Sequence, residues 1–130
     1  MKYKVLERED YAEELDYRFY IDKCEDSSGN IVYCLVVREG GQENYLIENA
    51  ECITFTQIKQ AIKEFLLDFI AESLRVRVDC FNLKNIKIEQ LEDGIKINSN
   101  FFKITKYHGT NDYDALYEDT QNYIMNELGE

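Results

Sequence analysis

The sequence predicts one α+β domain spanning residues 1–130, with a mainly antiparallel sheet, a meander of hairpins, packed by one long helix. A further hairpin and a C-terminal helix complete it. Three observations predict this class. Short alternating or apolar segments are separated by turn residues in the first fifty positions. A long 3.6-residue periodicity follows, and then the same order, strands before helix, recurs over a shorter stretch. The length of 130 residues matches one domain. With 45% apolar residues it can bury a core without staples.

Lys2 to Glu7 alternates Tyr3 and Val5 with lysines, the pattern of a half-buried strand. Glu9 to Asp16 is charged and is expected to be a loop or short helix. Tyr17 to Asp26 reads as a second strand. Ser27-Ser28-Gly29-Asn30 is turn chemistry, where Gly29 takes a positive φ at little cost. The unbroken apolar run Ile31 to Val37 predicts a central strand covered on both faces. Gly40-Gly41 predicts another tight turn, and Asn44 to Glu48 a returning strand.

Thr54-x-x-Gln57 has the form of a capping box. Behind it Ile58, Ala61, Ile62, Phe65, Leu66, Phe69 and Ile70 recur at helical spacing, predicting a helix from about Phe55 to Leu74. Ile62, Phe65 and Phe69 are expected to be buried, with Val36 in the strand beneath. Residues 75–82 fit either a strand or a continuing helix. Asn85 to Gln90, the turn signal Asp93-Gly94, and Ile95 and Ile97 predict a hairpin, with a short strand from Phe101 to Tyr107. Asn111 or Asp112 can cap a last helix from about Tyr113 to Leu128. Its expected buried stripe is Tyr113, Leu116, Tyr117, Thr120, Tyr123, Ile124 and Leu128. Asp114, Glu118, Gln121 and Met125 fall on the opposite side.

The net charge of −11 repels phosphate backbones, so direct nucleic-acid binding is not expected. The longest apolar run is far too short to span a bilayer, so no membrane association is expected. The acid is concentrated. Glu7, Glu9, Asp10, Glu13, Glu14 and Asp16 crowd one segment, and the chain from His108 onward carries six carboxylates and no lysine or arginine. Such segments raise encounter rates with a basic surface. They also simply keep a protein soluble.

Cys24, Cys34, Cys52 and Cys80 lack zinc-site spacing and are expected to be reduced, buried thiols. A hairpin turn at Ser28–Asn30 would set Cys24 and Cys34 directly opposite each other, and a one-residue register shift would separate them. No N-x-S/T sequon occurs, and a cytoplasmic location is expected. His108, the only histidine, sits in a turn sequence. Asp112-x-Asp114 fails as a calcium loop because Leu116 holds the third ligand position. No phosphate loop, nucleophile elbow or zinc-protease motif is present, so no enzyme activity, cofactor or metal is expected.

Ten tyrosines add large, polar-tipped contact surface. The expectation is a non-catalytic, acidic protein–protein interaction module that docks on a basic protein surface. In sharper form it is an inhibitor or nucleic-acid mimic occupying a nucleic-acid-binding protein. Small acidic inhibitors of phages and mobile elements share this size and charge, a likeness of composition that no motif carries. The residues expected to meet the partner are Glu9, Asp10, Glu13 and Glu14 in the first acidic segment, and Asp114, Glu118 and Met125 on the last helix. A small-ligand pocket protein and a structural subunit of a homo-oligomer are the alternatives.

Overall fold

A computed structural model describes residues 3–104 and 112–128. Along these residues the strands β1 (Lys4–Glu14), β2 (Tyr17–Glu25), β3 (Ile31–Glu39) and β4 (Gln42–Ala50) lead into helix α1 (Phe55–Cys80). Strands β5 (Ile88–Leu91), β6 (Gly94–Ile97) and β7 (Asn100–Lys103) follow, then helix α2 (Asp112–Tyr123) and a π-helical turn at Ile124–Leu128. The architecture is α+β, as the sequence predicts, with one antiparallel sheet ordered β1-β2-β3-β4 and another ordered β5-β6-β7. The chain gathers into two compact units, residues 1–63 and 64–130, with the boundary inside α1.

The first acidic segment departs from expectation. Residues 9–14 extend β1 instead of forming a loop or short helix. Leu15 and Asp16, with φ of 51° and 67°, make the two-residue turn that pairs Glu14 with Tyr17. Both central residues at positive φ is the hairpin geometry whose twist matches the strands. Neither residue announces it as Asn-Gly would. The next two turns are the expected ones. Asp26 accepts hydrogen bonds from the Ser28 and Asn30 amides, 2.9 Å each, and Gly29 sits at φ 84°. Gly40, at φ 58°, turns β3 into β4.

The run Ile31–Val37 is indeed a central strand. Val32, Cys34 and Val36 are buried on one face, and Leu35 and Val37 on the other. Val36 joins Tyr3, Tyr20, Cys24, Val32 and Cys34 in one buried cluster. Cys24 pairs with Val32 and Cys34 with Asp22, so the two thiols stand diagonally on one face rather than directly opposite.

This sheet is rolled. In a flat four-stranded sheet the edge strands lie roughly 14 Å apart, and their side chains stand perpendicular. Here Arg8 of β1 makes two hydrogen bonds to Glu43 of β4, at 2.8 and 3.0 Å. The rings of Tyr3 and Tyr45 meet edge-on with centroids 5.6 Å apart. Both contacts require the edges to curl toward each other over the face that holds the cluster. Register breaks at Val5/Glu7 and Asp10/Ala12 in β1, and at Tyr33/Leu35 and Leu35/Val36 against β4, supply the added bend.

The capping box at the start of α1 is formed as its spacing predicts. The Gln57 amide donates to Thr54 Oγ1 at 3.2 Å, and the Thr54 amide donates to Gln57 Oε1 at 2.8 Å. The helix continues through residues 75–80, which settles that ambiguity. It stops at Asn82, whose φ of 52° lets the Leu83 amide reach the Val78 carbonyl and the Asn82 amide reach that of Asp79. This is a Schellman end with asparagine in place of glycine.

The buried stripe of α1 runs Ile58, Ile62, Leu66, Leu67, Ile70, Ala71, Leu74 and Val78. Phe65 and Phe69, expected in it, are only half-buried on its flank, and Phe69 meets Tyr117 edge-on at 5.9 Å. Asp93-Gly94 signals its hairpin for an unexpected reason. The loop is Glu92-Asp93, and Gly94 opens β6. A Cβ there would lie 2.1 Å from the Phe102 carbonyl oxygen, so glycine is required by closeness. The strand expected to run to Tyr107 is β7, ending at Lys103, and Thr105–Tyr107, His108 and Asn111 lie outside the described residues.

Candidate functional site

The rolled sheet brings together most of the charged chemistry in the first unit. On its inner face Asp22 is buried, with 1% of its side chain exposed. Arg8 holds it with two parallel hydrogen bonds, Nε to Oδ1 and Nη2 to Oδ2, both 2.7 Å. The same guanidinium binds Glu43 and lies 4.6 Å from the centroid of the Tyr20 ring. A bidentate, stacked arginine is the geometry that offsets carboxylate burial. The Asp22 and Glu43 hydrogen bonds hold the Arg8 pKa far above its ordinary value, and Arg8 holds the Glu43 carboxyl below its own.

Deeper on this face, burial first and the neighbouring Cys34 thiol second push the Cys24 pKa up to about 11. A protonated, buried thiol is a poor nucleophile. Cys24 and Cys34 are therefore the packed thiols the sequence suggests, whereas Cys52 and Cys80 are exposed, contrary to expectation. Their flanking apolar residues, Ile53 and Phe81, mark a helix entry and exit and not a core. Tyr17 is likewise held well above its usual pKa by burial and by its hydrogen bond to Glu39.

One row of directly opposed residues crosses all four strands near the hairpin ends: Glu13, Arg18, Arg38 and Glu43. Arg18 Nε pairs with Glu13 Oε2 at 3.1 Å, and Arg38 Nε donates to the Gly40 carbonyl at 3.0 Å. Between them opens a depression of about 350 Å³ lined by Asp16, Arg18, Tyr20, Arg38 and Gly40.

On the other face of the sheet a depression of about 450 Å³ is lined by Glu7, Arg8, Glu9, Ile21, Lys23 and Tyr33. Glu7 stands opposite Lys23 and Glu9 opposite Ile21. Two carboxylates and two cations, Arg8 and Lys23, thus border an apolar floor of Ile21 and Tyr33 beside an edge strand. Sequence reasoning singles out Glu9 but misses this depression, because it expects a loop or short helix over residues 9–16. Strand alternation would have placed Glu7 and Glu9 on one face and Asp10 on the other.

Of the remaining residues expected to meet a partner, Asp10 and Glu13 are exposed on β1, and Glu14 is half-buried at its end. Asp114 and Glu118 are exposed on α2. Met125, expected to point outward beside them, is half-buried instead. The wheel geometry breaks there because the helix switches to i→i+5 bonding at Ile124. Leu116, Thr120 and Ile124 are buried as expected, while Tyr113, Tyr117, Tyr123 and Leu128 are only half-buried. Phe55, passed over in the sequence as the first helical residue, is 61% exposed. It lies 6.2 Å from Tyr11 of β1, centroid to centroid, with the Lys59 ammonium 4.5 Å from its own ring centroid.

Among the described residues no cluster of three or more His, Cys, Asp or Glu could hold a metal ion. Among them no helix is long and apolar enough to cross a membrane. No family model, curated protein or solved structure matches the chain.

Proposed function

We propose that the protein is a non-catalytic interaction module that receives a basic, extended segment of a partner protein along β1. The observation that carries this is the Glu7–Glu9 depression beside an edge strand. Among the described residues β1 pairs with β2 alone, which makes it the edge strand that could add a partner strand. Residues Lys4 to Asp10 are all exposed. A lysine or arginine of the partner would lay its aliphatic stem on Ile21 and Tyr33 and place its charge between Glu7 and Glu9, with Lys23 swinging aside toward solvent. Phe55, exposed beside the half-buried Tyr11, offers an aromatic anchor near the other end of the strand. Asp10 and Glu13, on the opposite side of β1 from Glu7 and Glu9, add to the field that steers a basic chain.

The division of these acids between two faces favours a basic strand over a phosphate-row imitation, which needs a longer row on one face. Inhibition of a nucleic-acid-binding protein remains within the proposal only as a consequence of covering its basic segment. A cytoplasmic setting is part of the same proposal, as reduced thiols are.

The test is binding of a basic, β-prone decapeptide of alternating lysine and valine, followed by backbone NMR. Shifts should concentrate in β1 and at Tyr33. Glu7→Lys with Glu9→Lys should abolish them, and rising salt should weaken binding. Shifts scattered over α1 and β7, or indifferent to the two reversals, would contradict the proposal.

A further inference from the structure

The inner face of the rolled sheet carries a second depression, bordered by two arginines whose outer strand neighbours are the carboxylates Glu13 and Glu43. Arg18 and Arg38 are directly opposed on neighbouring strands. Like charges in that relation destabilise a sheet. A chain with 26 acids and 15 basic residues has ample means to avoid it. Each guanidinium is drawn sideways by its Nε, Arg18 toward Glu13 and Arg38 toward the Gly40 carbonyl. This splays them and opens the space between, with the buried Tyr20 lining it. Using Nε for anchoring leaves the terminal nitrogens as the groups suited to a ligand. The Tyr20 ring is in turn fixed by Arg8 stacked at 4.6 Å.

We propose that Arg18 and Arg38 form a binding site for a small oxyanion, the phosphate or carboxylate head group of a small molecule. An anion between two guanidinium forks accepts charge-assisted hydrogen bonds from both and cancels their repulsion. The Glu13–Arg18 pair does not compete strongly, because both side chains are 58% exposed and such pairs are weak. Asp16, at the rim, disfavours a highly charged anion and suits a ligand that carries a compensating cationic group beside its acid. The site is distinct from the Glu7–Glu9 depression in face and in lining, so either can stand without the other.

The experiment is an NMR titration of the full chain with inorganic phosphate, with acetate and with chloride, at constant ionic strength, observing the arginine Nε–Hε signals. The expected result is saturation of Arg18 and Arg38 together, with one shared dissociation constant below roughly 10 mM for phosphate or acetate. The tighter of the two probes names the head group. Chloride should not saturate. Arg38→Gln should weaken binding at least tenfold while leaving the backbone amide spectrum of the sheet in place. Arg18→Gln should do the same, which guards against one variant failing to fold. Linear, unsaturated shifts with all three anions, or saturation that survives both variants, would overturn the proposal.

Discussion

The two compact units solve the problem of a core in different ways. In residues 64–130 the most buried side chains are Leu66, Leu67, Ile70, Leu74, Ile95, Ile97, Leu116 and Ile124. Their one buried polar companion among the described residues, Thr120, returns its hydroxyl to the Leu116 and Tyr117 carbonyls of its own helix, 2.9 Å each. In residues 1–63 the inner face of the sheet holds a buried carboxylate, two thiols and an arginine that ties three strands together. The dry core needs only hydrophobic residues of suitable size. The polar one needs its partners in place, because Arg8 must reach Asp22 and Glu43 at once across the rolled sheet. Specificity of that kind is worth having where a ligand must be met, and it places the candidate sites on the first unit.

The largest effects should separate the two cores by mechanism. Leu66→Ala should cost about 4 kcal/mol in chemical denaturation, the transfer and cavity cost of a buried leucine. Arg8→Ala should cost about 3 kcal/mol, the low end for stranding a buried carboxylate, because Arg8 is itself about a third exposed. The double change Arg8→Met with Asp22→Leu should recover most of that loss, since an apolar pair of similar volume removes the stranded charge. If Arg8→Ala cost under 1 kcal/mol, the clamp would not be holding the sheet.

A smaller effect concerns close approach in the second unit. Gly94→Ala should cost about 2 kcal/mol, because the new methyl must displace the Phe102 backbone. Gly41→Ala has nothing within 4 Å and should be nearly silent. Equal effects at the two positions would refute the packing at the β6–β7 edge.

The pH dependence that comes from buried or partly buried groups should also belong to the first unit, since among the described residues the shifted pair of the second, Lys87 and Glu89, lies at the surface. Cys24 titrates near 9 when unfolded and about 11 when folded, so the unfolded chain loses its proton first. Its contribution is present below pH 9 and is lost as the pH rises from there through about 11. On the acid side, the folded Glu43 carboxyl titrates below 4.5, so its contribution is present above that value and lost as the pH falls through the lowered one. Denaturation across pH 3–11 should show both declines, and Cys24→Ala should remove the part of the alkaline one that begins near pH 9, leaving the part above pH 10 to which Tyr11, Tyr17 and Tyr45 contribute.

The smallest effect leaves folding untouched. Brief alkylation of the native protein at neutral pH should label Cys52 and Cys80 and spare Cys24 and Cys34. Mass measurement of the peptides decides it. Equal labelling at all four would mean that the inner face opens readily.

Much of the fold was legible because its signals are local. The capping box, the helical period after it and the apolar run at Ile31–Val37 each state their element within a few residues. The β1–β2 hairpin was not legible, because Leu15-Asp16 carries no turn signature and the acids hide the strand's alternation. Gly94 was read as a turn residue when its requirement comes from Phe102, eight positions away. The site was legible only as composition. Arg8 looked like one basic residue among acids, and nothing near it in sequence reveals Asp22 or Glu43 as its partners. The Arg18–Arg38 opposition depends on the β2–β3 register, which is set by a five-residue connection that sequence does not measure.

The contrast between the units reaches their sheet edges. β1 is long, acidic and exposed, and β7 is four residues long with no acid. Hydrogen exchange of backbone amides, with and without the lysine–valine decapeptide, tests whether the acidic edge is the docking strand. The amides of β1 that do not face β2 should exchange several-fold more slowly with the peptide present, while β7 is unchanged. Protection at β7 with none at β1, or no protection at either edge at peptide concentrations that saturate binding, would contradict it.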